Sequence, residues 1–116
     1  MSECTSLALK IFRVELEEAE NNILGLLEYY SQRFDNQEIT NYVWKENRAL
    51  LKKEIGCVKE LERDLAGWDS HGVSDPMILL GNLTQYLKDL VTERGYPELV
   101  RLVIDRTSEK VTRYLK

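Results

Sequence analysis

A long heptad stripe is the feature that most constrains how this chain folds. In the first third of the chain, apolar residues alternate at steps of three and four: Leu9, Phe12, Leu16, Ala19, Ile23, Leu26 and Tyr30. This spacing places all seven on one face of a helix and is typical of left-handed helix packing in bundles. We therefore predict a first helix over about residues 5–34.

A second helix is predicted over about residues 37–66. Its apolar stripe consists of Val43, Leu50, Leu51, Val58, Leu61 and Leu65. Asp35 precedes Glu38 by three residues, an arrangement close to a capping box at the start of this helix. Gly67 follows as its predicted C-terminal glycine.

Two shorter helices complete the chain. We predict the third helix over residues 76–94, with Asp75 as its cap, Pro76 at its first position and Gly95 as its stop. The fourth is predicted over residues 97–115. So short a link between them favours an antiparallel hairpin.

Together these elements predict an all-α fold. We expect an antiparallel four-helix bundle with a long helix 1–2 hairpin and a shorter helix 3–4 hairpin, within a single helical domain of residues 1–116. No segment has strand periodicity, and no Pro/Ser/Gly-rich linker divides the chain.

Composition excludes several classes of partner and location. The net charge of −4 makes nucleic acid a poor partner, since an acidic chain repels phosphates. The longest apolar runs, such as Met77 to Leu80, are far shorter than the ~20 residues of a membrane span. The first residues lack the features of a signal peptide, so we expect a cytoplasmic protein with no membrane partner. Cys4 and Cys57 fit no metal spacing and are predicted to be reduced thiols.

Unequal helix lengths point to an interaction surface. The two long helices would span roughly 45 Å each and the two short ones roughly 28 Å. We expect helix 3 to run back along helix 2 and to cover only its C-terminal part. The end of the long hairpin, residues 24–50 and here called the hairpin tip, would then have no partner within the chain.

The hairpin tip carries five of the ten aromatic residues. We predict that it forms the interface of a homo-oligomer, with a homodimer the simplest form. Tyr29, Tyr42 and Trp44 are predicted to point away from the main stripes. The interface residues are Leu26, Tyr29, Tyr30, Phe34, Ile39, Tyr42, Val43 and Trp44. A further apolar line, Leu7, Ile11 and Val14, lies opposite the stripe of the first helix.

Asn47 and Glu54 are polar residues near the middle of the stripe of the second helix. We expect both to be largely buried and hydrogen-bonded, with Arg33 or Arg94 able to supply charge. One interpretation is that they specify helix register, as a buried asparagine does in coiled coils. A second is a small polar ligand pocket between helices. A third is that the second helix bends and turns Glu54 to solvent.

Other candidate sites are weaker. Asp69, His71 and Asp75 in the 67–75 loop have suitable types for metal ligands, but their spacing follows no known rule. The magnesium motif of all-α nucleotide pyrophosphatases fails in both halves: Asn21 replaces the glutamate required after Glu17-Glu18, and Arg63 replaces the aspartate required after Glu60. The acidic residues of the first helix are Glu15, Glu17, Glu18 and Glu20. We interpret them as the solvated face of the helix. No metal site, cofactor or catalytic residue is therefore predicted.

The sequence favours a non-enzymatic helical interaction protein that self-associates through the helix 1–2 hairpin. An adaptor that presents this hairpin to a different protein remains open. So does a small-molecule or metal-dependent enzyme, with its site at Asn47 and Glu54 or in the 67–75 loop.

Overall fold

The computed structural model describes residues 3–116, with side chains from Thr5 onward, and consists of four α-helices. They are α1 (Glu3–Asp35), α2 (Asn41–Ala66), α3 (Pro76–Arg94) and α4 (Glu98–Leu115). No strand occurs among these residues. The predicted all-α class and all four helices are confirmed.

Local chemistry places the ends of α3 where the sequence predicts them. The Asp75 side chain accepts hydrogen bonds from the backbone N–H groups of Met77 (2.8 Å) and Ile78 (3.3 Å). Gly95 ends the helix at φ 64°, a left-handed conformation that glycine adopts without steric cost. The fourth helix begins one residue later than predicted, at Glu98.

The start of α2 was predicted wrongly. Asp35 is the last residue of α1, and Gln37 follows with φ 61°. The N-cap is Thr40, whose side chain accepts from the N–H of Val43 at 3.2 Å. Because α1 runs through Asp35, the predicted capping box does not form, and Glu38 instead pairs with Arg33 at 3.1 Å.

Consecutive helices run antiparallel. Phe34 stacks on Trp44 where α1 meets α2. The α3–α4 pair is fixed by a hydrogen bond from Thr84 to Ser108 (3.1 Å) and an ion pair between Lys88 and Asp105 (2.6 Å).

We predicted that the third helix would run back along α2, and this prediction is wrong. The third helix packs mainly against α4 and also against α1, which contacts all three other helices. The C-terminal end of α3 reaches α2 through Arg94, which forms an ion pair with Asp64 at 2.6 Å. Tyr96, in the α3–α4 link, adds a hydrogen bond to Glu60.

The core lies at one end of an elongated molecule. The largest fully buried side chains come from all four helices: Phe12, Leu16, Leu61, Leu79, Leu83, Leu87, Ile104, Val58, Val100, Val111 and Thr5. The molecule measures 53 × 28 × 18 Å, and its radius of gyration is 16.4 Å. A compact domain of this size has roughly 13 Å. The difference arises because α1, about 50 Å long, extends well past the shorter helices.

Two further predictions concern the cysteines and membrane-spanning helices. Cys57 is a buried free thiol. The side chain of Cys4 lies outside the described residues. Across residues 3–116, no helix combines the length and apolar character needed to cross a membrane.

Candidate interaction surface at the hairpin tip

Helix α4 covers the α1–α2 hairpin only up to the level of its own first residues. Leu99, near the first residue of α4, lines a groove together with Ile23 and Leu26 of α1. From this level toward the N-terminus of α1, α4 covers the inner side of the hairpin. Beyond it, only the hairpin tip continues.

Burial of the apolar stripes changes at this same level. Ile23 is 5% exposed, whereas Leu26, one turn further along α1, is 47% exposed. On α2, Leu51 is 7% exposed, whereas its neighbour Leu50 is 50% exposed and Val43 is 38% exposed. The stripes themselves do not weaken, so the change reflects the missing cover and not a change in sequence pattern.

We call this open surface the tip face, defined by Leu26, Tyr30, Val43, Asn47 and Leu50. On a helical wheel they continue the stripes that α3 and α4 cover lower down. Tyr30 is half-buried and packs against the core cluster. Sequence reasoning placed Leu50 in the apolar stripe of the second helix but not among the predicted interface residues.

The remaining predicted interface residues divide into two groups. Tyr29 and Tyr42 are exposed, 51% and 72%, as predicted. Phe34, Ile39 and Trp44 are half-buried. The prediction for Trp44 was wrong, because its ring stacks on Phe34 with centroids 5.8 Å apart and so faces α1.

Aromatic and charged contacts stiffen the hairpin tip. Tyr29 and Tyr30 make an edge-to-face contact with centroids 5.6 Å apart. The guanidinium of Arg33 lies over the ring of Tyr29 and also pairs with Glu38. Ordered side chains lose less conformational entropy when a partner binds, which favours association.

Glu54 is buried, as predicted, but it is not paired. Only 4% of it is exposed, and its Oε2 atom has no hydrogen-bond partner among the described residues. Arg33 and Arg94 are engaged elsewhere, with Glu38 and Asp64. Burial alone therefore raises the pKa of Glu54 above its ordinary value.

Asn47 is only half-buried and bonds within its own helix, its side-chain amide donating to the carbonyl of Val43 at 2.8 Å. The prediction is therefore correct for the hydrogen bonding of Asn47 and for the burial of Glu54, but wrong for the burial of Asn47 and for the pairing of Glu54 Oε2. The third interpretation, that the second helix turns Glu54 to solvent, is wrong because only 4% of Glu54 is exposed.

The acidic residues of α1 are not all solvated. Glu15 is 9% exposed and lies 3.3 Å from the ammonium of Lys110 on α4, which corrects the prediction for this residue. Glu62 of α2 approaches Glu17 and Glu20. Its burial, a hydrogen bond with Glu20 and the charges of both residues raise the pKa of Glu62 to about 7. Neither contact has a local sequence signal, since each joins two helices.

The 67–75 loop does not assemble a metal site. Asp69 accepts a hydrogen bond from the N–H of His71 at 2.9 Å, whereas Asp75 caps α3. The imidazole of His71 is well exposed. The backbone of His71 has a φ of 56°. Among the side chains that the structure describes, from Thr5 onward, no group of three or more His, Cys, Asp or Glu residues converges as metal ligands.

The second apolar line of α1 is exposed at the opposite end of the molecule. Leu7 and Val14 are 52% and 58% exposed, and Ile11 is half-buried. Ile11 and Val14 form a shallow groove with Tyr114. This line provides matched exposed positions far from the hairpin tip.

Comparison with known proteins adds no relative. No protein-family model matches the chain, and no curated protein or solved structure matches it either.

Proposed function

We propose that this protein is a non-enzymatic helical interaction protein that self-associates through the hairpin tip. The observation that carries the proposal is the tip face: the same apolar stripes that form the core continue onto a surface that none of the described residues covers. Burying that surface would be favourable by about 25 cal/mol per Å² before the costs of association.

A second copy is the simplest cover. The hairpin tip contains four acidic residues (Glu28, Asp35, Glu38, Glu46) and three basic ones (Arg33, Lys45, Arg48). With both signs interspersed and a net charge near zero, two tips can approach without strong repulsion. Two apolar layers, each of two helices, would then form a four-helix core across a two-fold axis.

The direct test places charge on the tip face. Leu26→Glu with Val43→Glu puts carboxylates at two exposed positions, one on each helix, where they should leave the fold intact. We expect the double variant to lose self-association, measured as molar mass by light scattering, while its helical circular dichroism stays unchanged.

The matched control is Leu7→Glu with Val14→Glu, which adds the same charge at equally exposed positions at the other end of α1. We expect this control to associate like the unsubstituted chain. An associated tip variant, or a dissociated control, would place the interface elsewhere.

A further inference from the structure

The position of α4 restricts how a second copy can reach the tip face. Leu26 of the tip face shares a groove with Leu99 and Val103 of α4. The tip face and α4 therefore lie on the same side of the α1–α2 hairpin. A partner stacked on the tip face is therefore blocked by α4 in one direction. It can extend only past the free end of the hairpin.

Symmetry then selects one arrangement. If the two-fold axis ran along the helices, both α3–α4 hairpins would lie at the same level and on facing sides, and they would collide. An axis perpendicular to the helices, between the two layers, reverses helix direction and sets each helix against its own copy. The two α3–α4 hairpins then lie at opposite ends.

The free length of α1 locates the axis. Leu26 is the last residue of α1 that lines the groove with α4, so the stretch beyond α4 runs from Leu27 to Asp35, and its midpoint is Ser31. Tyr30, on the tip face, is adjacent to this midpoint. It would meet the partner's Tyr30 close to the axis.

The size of the tip face sets the strength of association. Ten helical residues span about 15 Å, and two helices side by side are about 20 Å wide, which gives a footprint of about 300 Å². Stable complexes bury about 800 Å² per partner. An interface this small fits a reversible dimer whose population depends on concentration.

From these constraints, and resting on the proposed self-association, we propose that two copies form a reversible antiparallel dimer in which only the hairpin tips overlap. The axis passes near Tyr30. With each chain 53 Å long and an overlap of about 15 Å, the dimer is about 90 Å long.

Distances between spin labels test this arrangement. In a background with Cys4→Ser and Cys57→Ala, one label is attached at Gln32→Cys, which is exposed and lies next to the axis, and another at Val14→Cys in a separate variant. The background first has to retain the mass of the unsubstituted chain. We expect a distance between copies of about 25 Å at position 32 and more than about 50 Å at position 14, because 17 residues of helix separate position 14 from the axis on each side.

The possible outcomes separate the two proposals. A dimer with similar distances at both positions would mean parallel, side-by-side packing, which overturns this arrangement and leaves self-association intact. A chain that stays monomeric at every concentration, with no distance between copies, would overturn both.

Discussion

The two ends of the α1–α2 hairpin have the same sequence pattern but different surroundings. At the base, α3 and α4 cover the stripes, and Phe12, Leu16 and Val58 are completely buried. At the hairpin tip, the stripes continue without cover, and Leu26 and Leu50 are about half exposed. The comparison teaches that a heptad stripe specifies which face of a helix is apolar, but not whether the same chain supplies the partner.

We expect the largest difference in stability when the only two phenylalanines of the chain are each replaced by alanine. Phe12 lies in the base and is fully buried, whereas Phe34 lies in the hairpin tip and is half-buried against Trp44. Phe12→Ala should lower the free energy of unfolding by about 3–5 kcal/mol because it leaves a cavity in the core. Phe34→Ala should cost about 2 kcal/mol, because it removes an aromatic pair and the burial of half a phenylalanine side chain. Urea denaturation at low protein concentration measures both, and equal losses would contradict the distinction between base and tip.

Glu54 lies at the boundary between the two ends, and its substitution should stabilise the protein. A buried polar atom without a partner costs about 1–3 kcal/mol, more if charged. Glu54→Gln keeps the shape and removes the charge but leaves polar atoms buried, so it should raise the free energy of unfolding at neutral pH by the part of this cost that belongs to the charge. A clear loss of stability would instead reveal a partner for the carboxylate.

The pH dependence of this difference has a defined sign. Because burial raises the pKa of Glu54 in the folded state, the folded protein binds its proton more tightly than the unfolded chain does. The contribution of Glu54 to stability is therefore complete below its ordinary pKa of 4.5 and is lost as the pH rises through the raised value. The advantage of Glu54→Gln should shrink as the solution is acidified. Glu62, whose pKa of about 7 has the same sign, is unchanged in both proteins and cancels from the comparison.

The smallest expected effect compares helix caps at the two ends. Thr40 caps α2 in the hairpin tip with one hydrogen bond, whereas Asp75 caps α3 in the base with two. Substitution of an N-cap residue by alanine costs about 0.5–2 kcal/mol. Thr40→Ala should fall at the low end of that range and Asp75→Ala at the high end, as measured by thermal unfolding. The reverse order would show that the hairpin tip contributes more to stability than its exposure indicates.

The helices were predictable because their signals are local. The heptad stripe, Asp75 with Pro76, and Gly95 each act through neighbouring residues, and the structure confirms the boundaries they predict for α3. The start of α2 was missed because two local signals competed. Asp35 and Glu38 resemble a capping box, but Thr40 provides the cap that forms, and its hydroxyl type was the available signal.

Contacts between helices were not predictable in the same way. The burial of Glu15 beside Lys110, the unpaired state of Glu54 and the packing of α3 against α4 all depend on how helices are placed in three dimensions. The sequence does identify the hairpin tip as the region where the apolar stripes extend beyond the helices that cover them. It does not indicate that Trp44 turns inward, because an inner or outer position on a two-helix layer depends on the crossing geometry.

The most direct test of the account is the mass of the unsubstituted chain by sedimentation equilibrium, from micromolar to near-millimolar concentration. If the tip face is an interface between copies, the average mass should rise with concentration from 13.6 kDa toward twice that value. A single species of 13.6 kDa over the whole range would contradict self-association through the hairpin tip.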